Sequence, residues 1–241
     1  MTPPLLVVDL GRRRYGETLL LQRSLVQRRL ADRTGDDLLL LVEHEPVVTL
    51  GRGSSAASLP SPVEALERRG LEVFQVERGG DVTWHGPGQL VGYPILDLER
   101  HRQDLHWYLR RLEAGLVDAL ASLGVAAGSE PGLTGVWTGR RKIASIGIHV
   151  RQWVTFHGFA LNVATDPRAF ESIVPCGIHG VEMTSVAREL GDLGTSAALW
   201  ARTRDAVIRA MGGTFRREPV SAELLGNGTV QPRQAFSSAT T

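Results

Sequence analysis

The chain has 241 residues, a formal net charge of +1, and 42% hydrophobic against 22% charged residues. That is the profile of a globular chain long enough for one sizeable core. A charge so near zero supplies no basic excess for nucleic acid, and no stretch approaches the roughly 18 unbroken apolar residues of a membrane span.

The apolar run near the N-terminus lacks a basic leader and a small-residue cleavage site, so no signal peptide is read and the expected location is the cytoplasm. Leu5 to Leu10 predicts a strand. Tyr15 to Leu30 predicts an amphipathic helix, with Leu19, Leu20, Leu25, Val26 and Leu30 recurring near the helical period. Leu38 to Val42 is a short apolar run that fits a buried strand, and Gly51 to Pro62 reads as a loop. A short helix at Val63 to Arg69 and a strand at Leu71 to Val76 come next. A glycine-rich segment, Arg78 to Gly92, then leads into a strand near Tyr93 to Leu98. Leu105 to Leu123 is the clearest helix, with Leu109, Leu112, Leu116, Val117 and Leu120 on one face and Gly124 as its stop. Gly135 to Trp137, Ile143 to Val150 and Thr155 to Val163 predict strands of a central sheet, and Pro167 to Phe170 a turn or short helix. A last helix, Leu199 to Met211, is expected to end at Gly212-Gly213. The Gly-, Ser-, Thr-, Gln- and Pro-rich residues 219–241 read as a flexible tail after a domain of residues 1–218. Strands and helices mix without strict alternation, which predicts a single α/β (mixed α+β) domain with a central mixed sheet and flanking helices.

Three segments carry chemistry. In Arg78-Gly79-Gly80-Asp81-Val82-Thr83-Trp84-His85-Gly86-Pro87-Gly88-Gln89, the glycines let the backbone approach a ligand, Arg78 suits an anion, and His85 can exchange protons. The segment fits neither the phosphate loop nor the dinucleotide fingerprint. Lys142 is the only lysine; every other basic side chain is arginine. Codon bias toward arginine accounts for the depletion but not for the survivor's place at the mouth of an apolar strand. Lysine, unlike arginine, can give up its proton in a protein. Ser145 and Gly147 interrupt that strand with small side chains, a mark of close ligand approach. The single cysteine, Cys176, excludes an intramolecular disulfide. A lone cysteine is more often a small buried hydrophobe than a nucleophile. Pro175 before it and Gly177 after it instead suit a turn that presents the thiol, with backbone N–H groups nearby for an oxyanion. His157-Gly158-Phe159-Ala160 reads as a pocket wall.

In this order and spacing, RGGDVTWHGPGQLVGYPILDL, KIASIG, HGFALNV and VPCGI closely resemble the lipoyl(octanoyl) transferases, over roughly residues 5 to 215. The resemblance implies a fold like the catalytic domain of biotin and lipoate ligases. It implies a cysteine–lysine dyad at Cys176 and Lys142. It also implies an acyl site lined by Arg78, Gly79, Gly80, Asp81, Val82, Thr83, Trp84 and His85, by Ser145, Ile146 and Gly147, and by Gly158, Phe159 and Ala160. The implied reaction moves an octanoyl group from octanoyl-acyl carrier protein to a lysine of a lipoyl domain. The acceptors would be 2-oxoacid dehydrogenase complexes or the glycine cleavage H protein. No metal is expected, since the histidines show no short ligand spacing, and no organic cofactor, since the implied thioester-to-amide transfer is downhill. His44, His101 and His106 read as structural or solvated. Arg140-Arg141, beside Lys142, is a candidate for steering an acidic carrier.

Three other readings stand beside this one. An ATP-dependent lipoate or octanoate ligase would need no cysteine nucleophile. A cysteine hydrolase would need a histidine base, with His85, His157 or His179 as candidates, but no local cysteine-protease signature is present. A non-catalytic module that binds an acylated partner would need neither Cys176 nor Lys142.

Overall fold

Leu39 to Val42 lies at the centre of a mixed sheet, and its unbroken apolar character follows from burial on both faces. Leu39 and Leu41 point into one core while Leu40 and Val42 point into another, as the two-residue period of a strand requires. The computed structural model describes residues 2–55, 58–59, 61–171, 173, 181–191 and 197–235.

In chain order the elements are β1 (Pro4–Arg13), α1 (Tyr15–Ala31), β2 (Asp37–His44), β3 (Val47–Leu50), α2 (Val63–Arg68), β4 (Glu72–Gln75), β5 (Val82–His85), β6 (Gln89–Ile95), α3 (Leu105–Ser122), β7 (Gly128–Glu130), β8 (Leu133–Thr138), β9 (Arg141–Arg151), β10 (Val154–Asn162), β11 (Glu182–Met183), α4 (Val186–Glu189), α5 (Ala197–Phe215), β12 (Glu218–Leu224) and β13 (Val230–Ala235). The large sheet runs β13-β12-β1-β2-β6-β10-β9-β8-β7, with β11 paired to β9; β4-β3-β5 form a smaller sheet. Parallel pairs (β1 with β2 and with β12) and antiparallel pairs (β2-β6, β6-β10, β10-β9) mix in the large sheet. Helices α3 and α5 pack together under one face, where Leu112, Leu116, Leu120, Val207 and Met211 join the first core. Leu25 and Val26 of α1 close the second core on the other face.

The expected single mixed α/β domain is therefore observed, and so are most elements. Three expectations are corrected. β3, which follows Pro46, was not foreseen; it pairs with β4 in parallel and β5 in antiparallel fashion. The last helix does not stop at Gly212-Gly213 but runs to Phe215. Gly212 is needed for space, since a Cβ there would sit 2.5 Å from Pro219 Cγ. The left-handed residue that ends the helix is Arg216 (φ +53°), and Arg217 N–H closes the turn on Gly212 O at 2.8 Å.

The expected flexible tail is instead ordered over residues 219–235. β12 covers the open edge of β1, pairing Leu5 with Pro219 and Leu6 with Val220, and β13 pairs back onto β12. Gly226-Asn227-Gly228, inside the Gly- and polar-rich stretch, is the turn of this hairpin, with Gly228 at φ +77°. Arg28 of α1 fastens it by donating to Asn227 O at 2.6 Å. Residues 236–241 lie outside the described residues.

Candidate active site

β5, β6, β9 and β10 border a cavity of about 230 Å³, roomier than the ~150 Å³ apolar cavity that admits a benzene-sized guest. Its floor is made by register. Ser145, Ile146 and Gly147 of β9 lie opposite Ala160, Phe159 and Gly158 of β10, and all six line the cavity. Small residues are required where chains crowd. A Cβ on Gly158 would come within 2.2 Å of Gly92 O, and one on Gly147 would meet Arg78 Cδ and Gly79 O at 3.0 Å. The Phe159 ring in turn lies over Gly92, where a Cβ would be 2.1 Å from it.

The glycine-rich segment closes over this floor. Gly79 N–H donates to Ile148 O at 2.8 Å, which holds the segment against β9. Arg78 is buried, and its guanidinium donates to Thr49 O at 2.7 Å, to Thr49 Oγ1 at 2.9 Å and to Gly79 O at 3.1 Å. Asp81 ties its own turn, accepting from Val82 N–H and from the Ser58 hydroxyl, each at 2.7 Å. Gly80, Asp81, Val82, Thr83 and His85 line the cavity. Trp84 does not; strand alternation sends its ring to the other side of β5, edge-on to Phe170 at 5.5 Å among Val48, Leu66 and Met183. Gly79 acts as the tether and is not part of the lining.

The aromatic wall was not foreseen. Tyr15, the first residue of α1, stacks on His85 with centroids 6.0 Å apart, and Tyr93 lines the same wall. Behind them His44 donates from Nδ1 to Arg13 O (3.1 Å), which leaves Nε2 to accept from the Tyr93 hydroxyl (2.7 Å). Burial pushes His44 down to about 4 and His85 down to about 3, so both rings are neutral at ordinary pH. The Gln89 amide donates to Asn162 Oδ1 at 3.0 Å and accepts from His85 Nδ1 at 2.7 Å, which fixes that tautomer; Asn162 passes the chain on to Thr184 O. His157, also in the wall, holds a left-handed φ of +55° in the middle of β10, a strain of about 1–3 kcal/mol. Its N–H donates to Gln22 Oε1 of α1 at 2.8 Å. Burial lowers its pKa despite Glu77, whose Oε2 is 3.8 Å from Nε2.

Lys142 belongs to the lining. It is 2% exposed, its Nζ donates to Thr134 O at 3.0 Å and lies 5.1 Å from the centre of the Trp137 ring, and it lines the cavity beside Gly132, Leu133 and Thr134. β11 runs alongside, with Met183 the register partner of Lys142. The neighbouring Arg141 makes a two-pronged pair with Glu189 at 2.8 and 3.0 Å, while Arg140 is exposed. Cys176 lies outside the described residues. The chain on either side of its segment does not: Ile173 and Val181 belong to the cluster around Trp84 and Phe170.

The lipoyl protein ligase A/B catalytic domain matches residues 14–211. The octanoyltransferase of Geobacter sulfurreducens is 52% identical over 185 residues, 77% of this chain and 75% of that protein. The chain belongs to this family. The octanoyltransferase of Gloeobacter violaceus is 55% identical over 157 residues, 65% of this chain and 68% of its own length. The fold also matches solved ligases. A lipoate protein ligase from T. acidophilum with bound lipoic acid superposes with a TM-score of 0.71 at 17% identity, covering 95% of this chain and 92% of that one. Lipoate-protein ligase A bound with ATP gives 0.73 at 18%, covering 95% and 91%. At such identities the ligases speak for the fold alone, whereas the relatives at half identity are octanoyltransferases, and the chain is an acyltransferase. Among the described residues no three His, Cys, Asp or Glu side chains gather as a metal set, and no helix is long and apolar enough to cross a membrane.

Proposed function

We propose that this acyltransferase takes an octanoyl group from octanoyl-acyl carrier protein, holds it on Cys176, and delivers it to a lysine of a lipoyl domain. The observation that carries the reading is the sole lysine, buried in the lining of a cavity whose floor is largely apolar and kept open by small residues. At roughly 0.8 kcal/mol per buried methylene, an eight-carbon chain laid along that floor gains about 5 kcal/mol. The neutral His85, with the neutral His44 behind it, keeps the aromatic side of the cavity uncharged.

In the first half-reaction the Cys176 thiolate attacks the thioester carbon. The bond from that carbon to the carrier's phosphopantetheine sulfur breaks, and Lys142 gives its proton to the departing thiolate. In the second half-reaction the acceptor amine attacks the Cys176 thioester. Lys142 takes the proton lost by the amine, and Cys176 leaves as the thiolate. Thioester exchange is nearly balanced and amide formation is downhill, so neither ATP nor a cofactor is required. Arg141 is engaged by Glu189, so steering of an acidic carrier falls to the exposed Arg140. The acceptors are lipoyl domains of 2-oxoacid dehydrogenase complexes or the glycine cleavage H protein, and the site of action is the cytoplasm.

Intact-mass spectrometry after mixing with octanoyl-carrier protein tests the route. Wild type should gain one octanoyl group that hydroxylamine removes, Cys176→Ser should gain none, and Lys142→Ala should gain it slowly. Transfer without an adduct, dependent on ATP and free acid, would replace this mechanism with that of a ligase.

A further inference from the structure

The support of Lys142 comes from a residue far from it in sequence. Glu113, on α3, is buried to 2% exposure. Its Oε1 accepts from the Gly135 N–H at 3.1 Å, while Oε2 is engaged by Arg110. The peptide that carries this N–H is the one whose carbonyl, Thr134 O, accepts from Lys142 Nζ at 3.0 Å. In a trans peptide the N–H and C=O point in opposite directions. A carboxylate gripping one end therefore aims the other end at the amine, and polarises it as an acceptor.

The local backbone is shaped for this contact. Gly135 has φ +128°, and a Cβ there would sit 2.6 Å from Ala144 O and 2.7 Å from Lys142 Cε. Only glycine lets the lysine stem lie directly on the peptide. The register of β8 on β9 runs from Val136 to Thr138 with a shift between Val136 and Trp137, and the Thr134–Gly135 peptide just before it is gripped by the side chains of Glu113 and Lys142.

We infer that Glu113 is a positioning residue for octanoyl transfer, fixing Lys142 Nζ in the cavity lining through the Thr134–Gly135 peptide. The inference rests on the role proposed above for Lys142. A purely structural staple between α3 and β8 predicts something different: loss of stability without a selective loss of turnover.

The experiment compares Glu113→Ala and Glu113→Gln with wild type by kcat and KM for octanoyl-carrier protein, by the rate at which the Cys176 adduct appears, and by Tm. Glu113→Gln keeps a carbonyl oxygen for the Gly135 N–H. The expected result for Glu113→Ala is a fall in kcat and in adduct rate of roughly 10- to 100-fold, the scale of misplacing a reacting group by about 1 Å. KM should stay within about twofold, since the cavity floor is untouched, and Glu113→Gln should recover most of the rate. If Glu113→Ala lowers Tm while kcat matches wild type, or if Glu113→Gln is as slow as Glu113→Ala with an unaltered Tm, the inference is overturned. Should Glu113→Ala fail to fold, Glu113→Gln and Gly135→Ala still decide it, because Gly135→Ala must reproduce the selective loss of kcat. A wild-type protein that transfers octanoate without ever forming the adduct would defeat the proposed function instead, and does so before any variant is made.

Discussion

His44 offers a test of how the aromatic side of the cavity is kept neutral. Its ring is fully enclosed, bonded to Arg13 O and to the Tyr93 hydroxyl, and burial holds it down to about 4 from an ordinary 6.5. Between those values the unfolded chain binds a proton that the folded chain refuses. Stability is therefore fully present above pH 6.5 and is lost as pH falls toward 4. At pH 5 about 1.5 units of that window have been crossed, and at about 1.36 kcal/mol per unit the loss is about 2 kcal/mol. That is a large share of a typical stability of about 5–15 kcal/mol. The perturbation is His44→Gln, which keeps polar atoms beside Tyr93 but does not titrate. The assay is urea unfolding followed by tryptophan fluorescence, at pH 7 and at pH 5, for both proteins. Carboxylates titrate alike in the two and cancel in the difference. Wild type should lose about 2 kcal/mol more than the variant between the two pH values. Equal losses would refute the reasoning, because they would mean His44 already carries its proton in the folded state or is reached by water there.

Two further outcomes follow from the cavity and the sheet. Ala160→Leu adds bulk to the floor opposite Ser145; at roughly 0.8 kcal/mol per methylene displaced, the kcat/KM preference should move toward a six-carbon donor over an eight-carbon one by on the order of 10-fold. An unaltered chain-length profile would mean the acyl chain lies elsewhere. Ending the chain before Glu218 strips β12 from β1, bares the edge of Leu5 and Leu6, and should lower Tm steeply or leave the protein insoluble. A truncated chain with the full-length Tm would return that segment to the status of a dispensable tail.

What the sequence made legible follows from the range of the signals involved. Periodicity and turn chemistry are local, so α1, α3 and the central strands could be read nearly to their ends. Lys142 was legible by count, being the only lysine, and Ser145 and Gly147 by their smallness within an apolar strand. The place of Trp84 follows from parity: on a four-residue strand it cannot share a face with Thr83 and His85. The hairpin of β12 and β13 is not legible because glycine and small polar residues mark tight turns and disorder alike, and only the open edge of β1 decides between them.

The remaining site residues arise from contacts between distant segments. Tyr15 reads as the start of a helix, and becomes a cavity wall because α1 crosses the sheet beside β6 and β10. Gln22 and His157 are 135 positions apart, and nothing local to either marks the strained strand residue whose N–H Gln22 accepts. Glu113 is the sharpest case. Beside Arg110 and Arg111 it reads as one more charge on a solvated helix face, yet it is among the most deeply buried acids in the described structure. Burying a carboxylate costs several kcal/mol unless it is paired and hydrogen-bonded. Here both oxygens are engaged, one by Arg110 and the other by the peptide that presents its carbonyl to Lys142. A purely structural staple would not need that particular peptide. Its place at the other end of the peptide that accepts from the sole lysine makes the burial intelligible as support for the role proposed for Lys142.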